Sequence, residues 1–153
     1  MIYLVRHAKA GDRDSWTGHD RLRPLTPAGH LQAVALLDVL DDARFARIVS
    51  SPYVRCLETV VPLAGRHYLP IQPHDALAEG AALDEVIKLV DECAPTGAVL
   101  CSHGDVIPDL IGHLAATTAV ELVEPLRCAK GSTWVLDTDT SGAVTAATYR
   151  PAP

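Results

Sequence analysis

Apolar runs of strand length alternate along this chain with stretches whose apolar residues recur at helical spacing, and that alternation constrains the fold more than any other feature. Ile2-Tyr3-Leu4-Val5 reads as a first strand. Thr26-Pro27 then offers an N-cap followed by proline at the first helical position. Ala33, Leu36, Leu37 and Leu40 recur at i, i+3, i+4, i+7, which predicts a helix from about Pro27 to Asp41. Arg47-Ile48-Val49-Ser50 is a second strand, and Ser51-Pro52 repeats the cap-and-proline device ahead of Val54, Leu57 and Val61. A weak third strand region begins at Pro70-Ile71 and ends near Leu77, before the helical stripe Leu83, Val86, Ile87, Val90. A fourth strand, Ala98 to Cys101, leads into the stripe Ile107, Leu110, Ile111, Leu114, with Pro108 in that helix's first turn.

Such β-α alternation favours a parallel sheet with helices on both faces, joined by right-handed crossovers. The tail departs from it: Ser132 to Asp137 and Val144 to Tyr149 flank a turn-rich stretch, Thr138 to Gly142, which predicts a closing hairpin at a sheet edge. The expected fold class is therefore α/β, a three-layer α/β/α sandwich whose mainly parallel sheet carries an antiparallel edge hairpin, over residues 1–153 as a single domain. A chain of about 150 residues buries roughly 68–70% of its unfolded surface, enough for a real core. With 48% hydrophobic and 21% charged residues, neither a disordered nor a fibrous architecture is suggested.

The net charge of −6 argues against a general nucleic-acid binder, while leaving room for a small basic pocket. Cys56, Cys93, Cys101 and Cys128 are widely spaced without a Cys-x-x-Cys pair and read as reduced thiols. No basic leader precedes the first strand and no run approaches about 18 apolar residues, so the expectation is a cytoplasmic protein with no membrane partner. Oligomeric state does not follow from the sequence.

Chemistry concentrates where strands end. The first strand runs straight into Arg6-His7-Ala8 and the fourth into Ser102-His103-Gly104, and ligands of open α/β sheets collect beyond the carboxyl ends of the strands. Neighbouring residues in a strand point to opposite faces, so Arg6 and His7 reach one ligand only if the strand stops there. A guanidinium beside the first histidine, and another at Arg55 after the second strand, point to a phosphoryl ligand, because arginine presents a planar fork of donors. His7 is the expected nucleophile: a neutral imidazole attacks phosphorus and splits one hydrolysis into two transfers. Arginine charge nearby should keep it neutral, and a backbone carbonyl should fix its tautomer. Arg6, Arg55 and a donating His103 would surround the non-bridging oxygens. Glu79, between the third strand and its helix, is the best-placed proton donor for the leaving group, and Asp105 is the second candidate. The polar stretch from Gly11 to Arg23 reads as a loop over the strand ends, part of a substrate entrance.

Four stretches, Leu4-Val5-Arg6-His7-Ala8, Ser50 to Thr59, Leu77-Ala78-Glu79 and Ser102-His103-Gly104, resemble in order the motifs of the histidine phosphatase superfamily, the phosphoglycerate-mutase-like proteins. The resemblance covers about residues 1 to 115, and the short chain with its Arg-His-Ala-Lys-Ala opening looks like the SixA-type phosphohistidine phosphatase branch. It implies phosphorylation of His7, a phosphate pocket of Arg6, Arg55 and His103, Glu79 as proton donor, and no metal or other cofactor. The family commonly has glycine where this chain has Ala8. SixA-type relatives often lack the carboxylate, so Glu79 points toward an alkyl phosphate. The absence of long insertions suits an open pocket and a protein side chain. The first expected substrate is thus a histidine-phosphorylated protein, and the second a small phosphorylated metabolite or nucleotide.

Blander readings hold elsewhere. His19, His30, His67, His74 and His113 are taken as structural, Ser51 as an N-cap, and Lys9 and Arg21 as exposed cations of no assigned role. A metal-dependent phosphoesterase built on His103-Gly104-Asp105 lacks the His-x-His and His-Glu-x-x-His spacings. A non-catalytic phosphate-binding regulatory domain could use the same arginines without turnover.

Overall fold

The computed structural model describes residues 1–117, 120–122 and 126–153. In chain order its elements are β1 (Ile2–Arg6), α1 (Pro27–Val39), β2 (Arg47–Ser50), α2 (Val54–His67), β3 (Ile71–Pro73), α3 (Leu83–Cys93), β4 (Ala98–Ser102), α4 (Val106–Thr117), β5 (Glu121–Leu122), β6 (Thr133–Thr138) and β7 (Val144–Arg150). They form one sheet in the order β3-β2-β4-β1-β6-β7-β5. The four strands that begin it are parallel, whereas β6 pairs antiparallel with β1 and with β7.

Strand pleating divides the apolar residues between two cores. Ile2 and Leu4 of β1 and Ala98 and Leu100 of β4 face one side, where α3 and α4 cover them with Val86, Leu89, Ile107 and Leu110. Tyr3, Val5, Val99 and Cys101 face the other, under Leu36 of α1 and Cys56, Val60 and Leu63 of α2. The result is the three-layer α/β/α sandwich read from the alternation. All of β4 is buried, as expected of a central parallel strand covered on both faces.

Three details differ from the sequence reading. The third strand is only Ile71–Pro73, and Asp75–Leu77 form a 3-10 turn. The hairpin of β6 and β7 does not end the sheet, because two residues of β5 lie parallel to β7 beyond it, a segment too short to carry a sequence pattern. The second helix starts at Val54 with Tyr53 as its cap residue, so Ser51 does not cap it. Ser51 instead continues the pairing of β2 by donating its N–H to Cys101 O at 2.9 Å, while its hydroxyl accepts from Tyr53 N–H at 3.4 Å, outside the helix. The four cysteines are free thiols, and no helix among the described residues is long and apolar enough to cross a membrane.

Candidate active site

Adjacent strands β1 and β4 leave the sheet in opposite directions, β1 toward α1 on one face and β4 toward α4 on the other. A crevice opens at such a divergence. Their register sets Arg6 opposite Ser102, so the next residues, His7 and His103, emerge side by side with ring centroids 5.3 Å apart. Because β1 stops at Arg6, both Arg6 and His7 face the same cavity, of about 550 Å³. His103, Glu79 and Asp105 line it as well.

His7 is buried, and its Nδ1 lies 2.8 Å from Ala8 O. A carbonyl only accepts, so Nδ1 carries the proton and the neutral ring keeps its lone pair on Nε2. Its pKa is lowered to about 3, first by burial, then by His103, Arg55 and Arg6, against the contact with Ala8. Desolvation, rather than the arginine charge expected from sequence, is thus the main reason the imidazole stays neutral.

His103 is held on several sides. Its Nε2 lies 2.8 Å from Ser51 Oγ and 3.5 Å from Cys56 Sγ, and the Tyr53 ring packs edge-on with centroids 4.8 Å apart. Arg55 Nη2 approaches His103 Nδ1 at 3.4 Å, as a donor. In this arrangement Nδ1 accepts and Nε2–H points to Ser51. A serine hydroxyl donates as readily as it accepts, so the ring can invert its tautomer and present Nδ1–H to an anion without losing Ser51.

Arg55, second residue of α2, is fully buried and stands behind the cavity wall. Its Nη2 contacts Glu79 Oε2 at 2.9 Å and Asp20 Oδ2 at 3.1 Å, and its Nη1 donates to Asp20 O at 2.9 Å. Arg13 donates through Nη2 to both oxygens of Glu79, at 2.7 and 3.0 Å. Glu79 is therefore clamped between two guanidinium groups and accepts at both oxygens. Burial pushes the Asp20 carboxyl up, but Arg23, Arg55 and Arg13 together hold it below its ordinary range. Asp105 accepts Gly80 N–H at 2.7 Å, which ties the turn after β4 to the backbone beside Glu79. The second donor candidate thus sits where it orients the first.

Arg6 donates through Nη1 to Cys128 O. Gly104 is where that guanidinium passes: a Cβ there would lie 2.6 Å from Arg6 Cζ. Among the described residues the buried Nε atoms of Arg6 and of Arg55 have no hydrogen-bond partner. Sequence reasoning did not single out Arg13, Asp20, Arg23 or the true partner of Ser51. The Gly11–Arg23 loop reads as an entrance, but an aperiodic segment gives no signal of which side chains turn inward.

A neutral, desolvated histidine with Arg6 beside it and Arg55 behind the wall, at a parallel-strand divergence, is an arrangement that can receive a phosphoryl group. The model of the histidine phosphatase superfamily (branch 1) matches residues 2–85, and the chain belongs to that family. Over 142 residues it is 34% identical to a protein of Mycolicibacterium smegmatis named 8-oxo-(d)GTP phosphatase, covering 88% of this chain and 43% of that protein. The chain spans less than half the length of the curated relatives it matches. Among solved structures, the protein histidine phosphatase SixA complexed with tungstate superposes with a TM-score of 0.76 at 17% identity, covering 97% of this chain and 93% of the other. A putative phosphohistidine phosphatase SixA from Agrobacterium tumefaciens gives 0.72 at 23% identity, covering 90% and 91%. At these identities the structural likenesses establish the fold alone.

Proposed function

We propose that this domain is a phosphohydrolase that works through a phosphohistidine at His7 and needs no metal ion. The observation that carries the reading is the state of His7: Nδ1 is committed to Ala8 O, Nε2 has no hydrogen-bond partner among the described residues, and burial keeps the ring neutral. A neutral imidazole with one bare nitrogen is the form that attacks phosphorus.

The incoming phosphoryl group meets Arg6 at the cavity wall and takes the place of Glu79 Oε2 at Arg55 Nη2. His103 adds Nδ1–H after its tautomer inverts against Ser51. These donors neutralise charge that spreads over the equatorial oxygens in the transition state. Glu79, released from Arg55 and held by Arg13, lies where, once it has taken up a proton from solvent on the freed Oε2, it can protonate a leaving oxygen and then take a proton from the water that cleaves the phosphohistidine.

A small phosphorylated molecule is the substrate class best supported. Glu79 lies in the cavity against Arg55, as an oxygen leaving group requires, and the relative at 34% identity bears a nucleotide phosphatase's name. Protein phosphohistidine is the second reading. Only His103-Gly104-Asp105 separate β4 from α4, so that side of the pocket carries no lid and a protein side chain can reach it. Hydrolysis of p-nitrophenyl phosphate, a nucleotide and a phosphohistidine-bearing carrier protein, each in excess chelator by wild type and by His7→Ala, tests the proposal. Metal-free release by wild type alone supports it, the rate ratios rank the substrates, and release by His7→Ala at the wild-type rate refutes it.

A further inference from the structure

Beside the phosphoryl pocket, the cavity wall carries Lys9 and Lys130, which the mechanism above does not use. They come from distant parts of the chain, yet one side chain holds their backbones together. Gln32 Oε1 accepts Lys9 N–H at 2.9 Å, and Gln32 Nε2 donates to Lys130 O at 3.3 Å. Each anchor is reinforced. Thr26 donates to Lys9 O from its backbone N at 2.9 Å and from its hydroxyl at 3.0 Å. Gly131 N–H, at a φ of 82° that favours glycine, sits 3.1 Å from Arg6 O and 3.2 Å from His7 O, which fixes Lys130 next to the nucleophile's own strand end.

Neither lysine amine has a hydrogen-bond or acidic partner among the described residues, whereas Arg13 and Arg23 nearby are both paired with carboxylates. Burial lowers the Lys130 pKa, and Arg6, Arg23, Lys9 and Arg13 lower it further. Cations that repel one another across one cavity, in a chain of net charge −6, are an arrangement that an anion relaxes.

We propose that Lys9 and Lys130 form a second anion subsite that holds the penultimate phosphate of a phosphoanhydride, such as a nucleoside di- or triphosphate, while the terminal phosphoryl group is transferred to His7. A phosphohistidine leaving group is an imidazole and a simple phosphate ester has no second phosphate, so neither would use this pair. In the transfer, His7 Nε2 forms a bond to the terminal phosphorus as the bond from that phosphorus to the bridging oxygen breaks. The electron pair leaves on the bridging oxygen, and the lysines neutralise the charge it brings to the penultimate phosphate. Water then attacks the phosphohistidine, its proton passes to Glu79, and the P–N bond breaks to release orthophosphate.

The subsite rests on the transfer to His7 proposed above, and two measurements keep the two claims apart. In the first, inorganic pyrophosphate and orthophosphate are titrated calorimetrically into wild-type protein in chelator, which requires no turnover. Pyrophosphate is expected to bind at least about tenfold more tightly, a preference that Lys9→Met/Lys130→Met removes; equal affinity in wild type overturns the subsite. In the second, kcat/KM is measured for GDP and for p-nitrophenyl phosphate. The double variant is expected to lower the GDP to p-nitrophenyl phosphate ratio at least about tenfold, at an unchanged melting temperature, and an unaltered ratio overturns the subsite. Wild type that hydrolyses neither compound refutes the hydrolase reading, and the titration then still decides the subsite.

Discussion

Ser51 Oγ lies 2.8 Å from His103 Nε2, so the hydroxyl that sequence logic assigns to a helix cap instead fixes the second histidine of the pocket. Removing it leaves the buried ring nitrogen only the weak Cys56 Sγ contact at 3.5 Å, a loss of about 1–3 kcal/mol. If most of that loss falls on the transition state, Ser51→Ala lowers kcat by roughly tenfold or more, since about 1.4 kcal/mol corresponds to a factor of ten. Ser51→Thr, which keeps the hydroxyl, recovers more of the rate than Ser51→Ala. Steady-state kinetics on p-nitrophenyl phosphate, with melting curves for each variant, check this.

Gly104 is required by the Arg6 guanidinium, because a Cβ would stand 2.6 Å from Cζ and 2.7 Å from Nη2. Gly104→Ala therefore displaces the arginine rather than the backbone. Loss of one charge-assisted phosphate contact costs about 1.5–3 kcal/mol, so kcat/KM should fall by roughly 10- to 100-fold. Phosphate affinity and kcat/KM measured on the alanine variant test it, and unchanged values would show that Arg6 does not hold the anion.

Glu79→Gln separates leaving groups. The amide keeps the size of the side chain but neither donates a carboxyl proton nor accepts one from water. An alkyl phosphate should lose about 10²–10⁴-fold in rate, whereas an activated aryl phosphate should lose much less in the first transfer. Equal losses across a series of leaving groups would remove the proton-donor role.

The depressed pKa of His7 also predicts a pH dependence of stability. With a folded pKa of about 3 against the ordinary 6.5, the unfolded chain binds the extra proton between those values. Stability from this residue is complete above pH 6.5 and declines as pH falls toward 3, with a slope of at most about 1.4 kcal/mol per pH unit. Denaturant unfolding at a series of pH values should show a shallower acid loss for His7→Asn than for wild type.

Much of this was legible because strand ends are legible. Val5-Arg6-His7 and Cys101-Ser102-His103 mark where apolar runs stop, and parallel neighbours carry their stops to one side of the sheet. The alternation likewise fixed the layers, since β1 and β4 each send alternate residues into opposite cores. The Gly11–Arg23 loop was harder. Arg13 and Asp20 reach Glu79 and Arg55 through a segment with no periodicity, and its contacts are set by charge pairing that appears only after folding. Lys9 is an exposed cation, as the sequence reads, and its relation to Lys130 carries no sequence signal because it runs through Gln32, a glutamine on the surface side of α1.

Direct capture of the covalent intermediate tests the central claim. Wild-type protein is quenched during turnover of p-nitrophenyl phosphate in excess chelator, digested, and read by mass spectrometry for a phosphoryl group. The expected result is a phosphorylated peptide whose modification maps to His7 and is absent from His7→Asn, which has no turnover. Sustained hydrolysis by His7→Asn, or wild-type turnover whose intermediate maps to another residue, would contradict it.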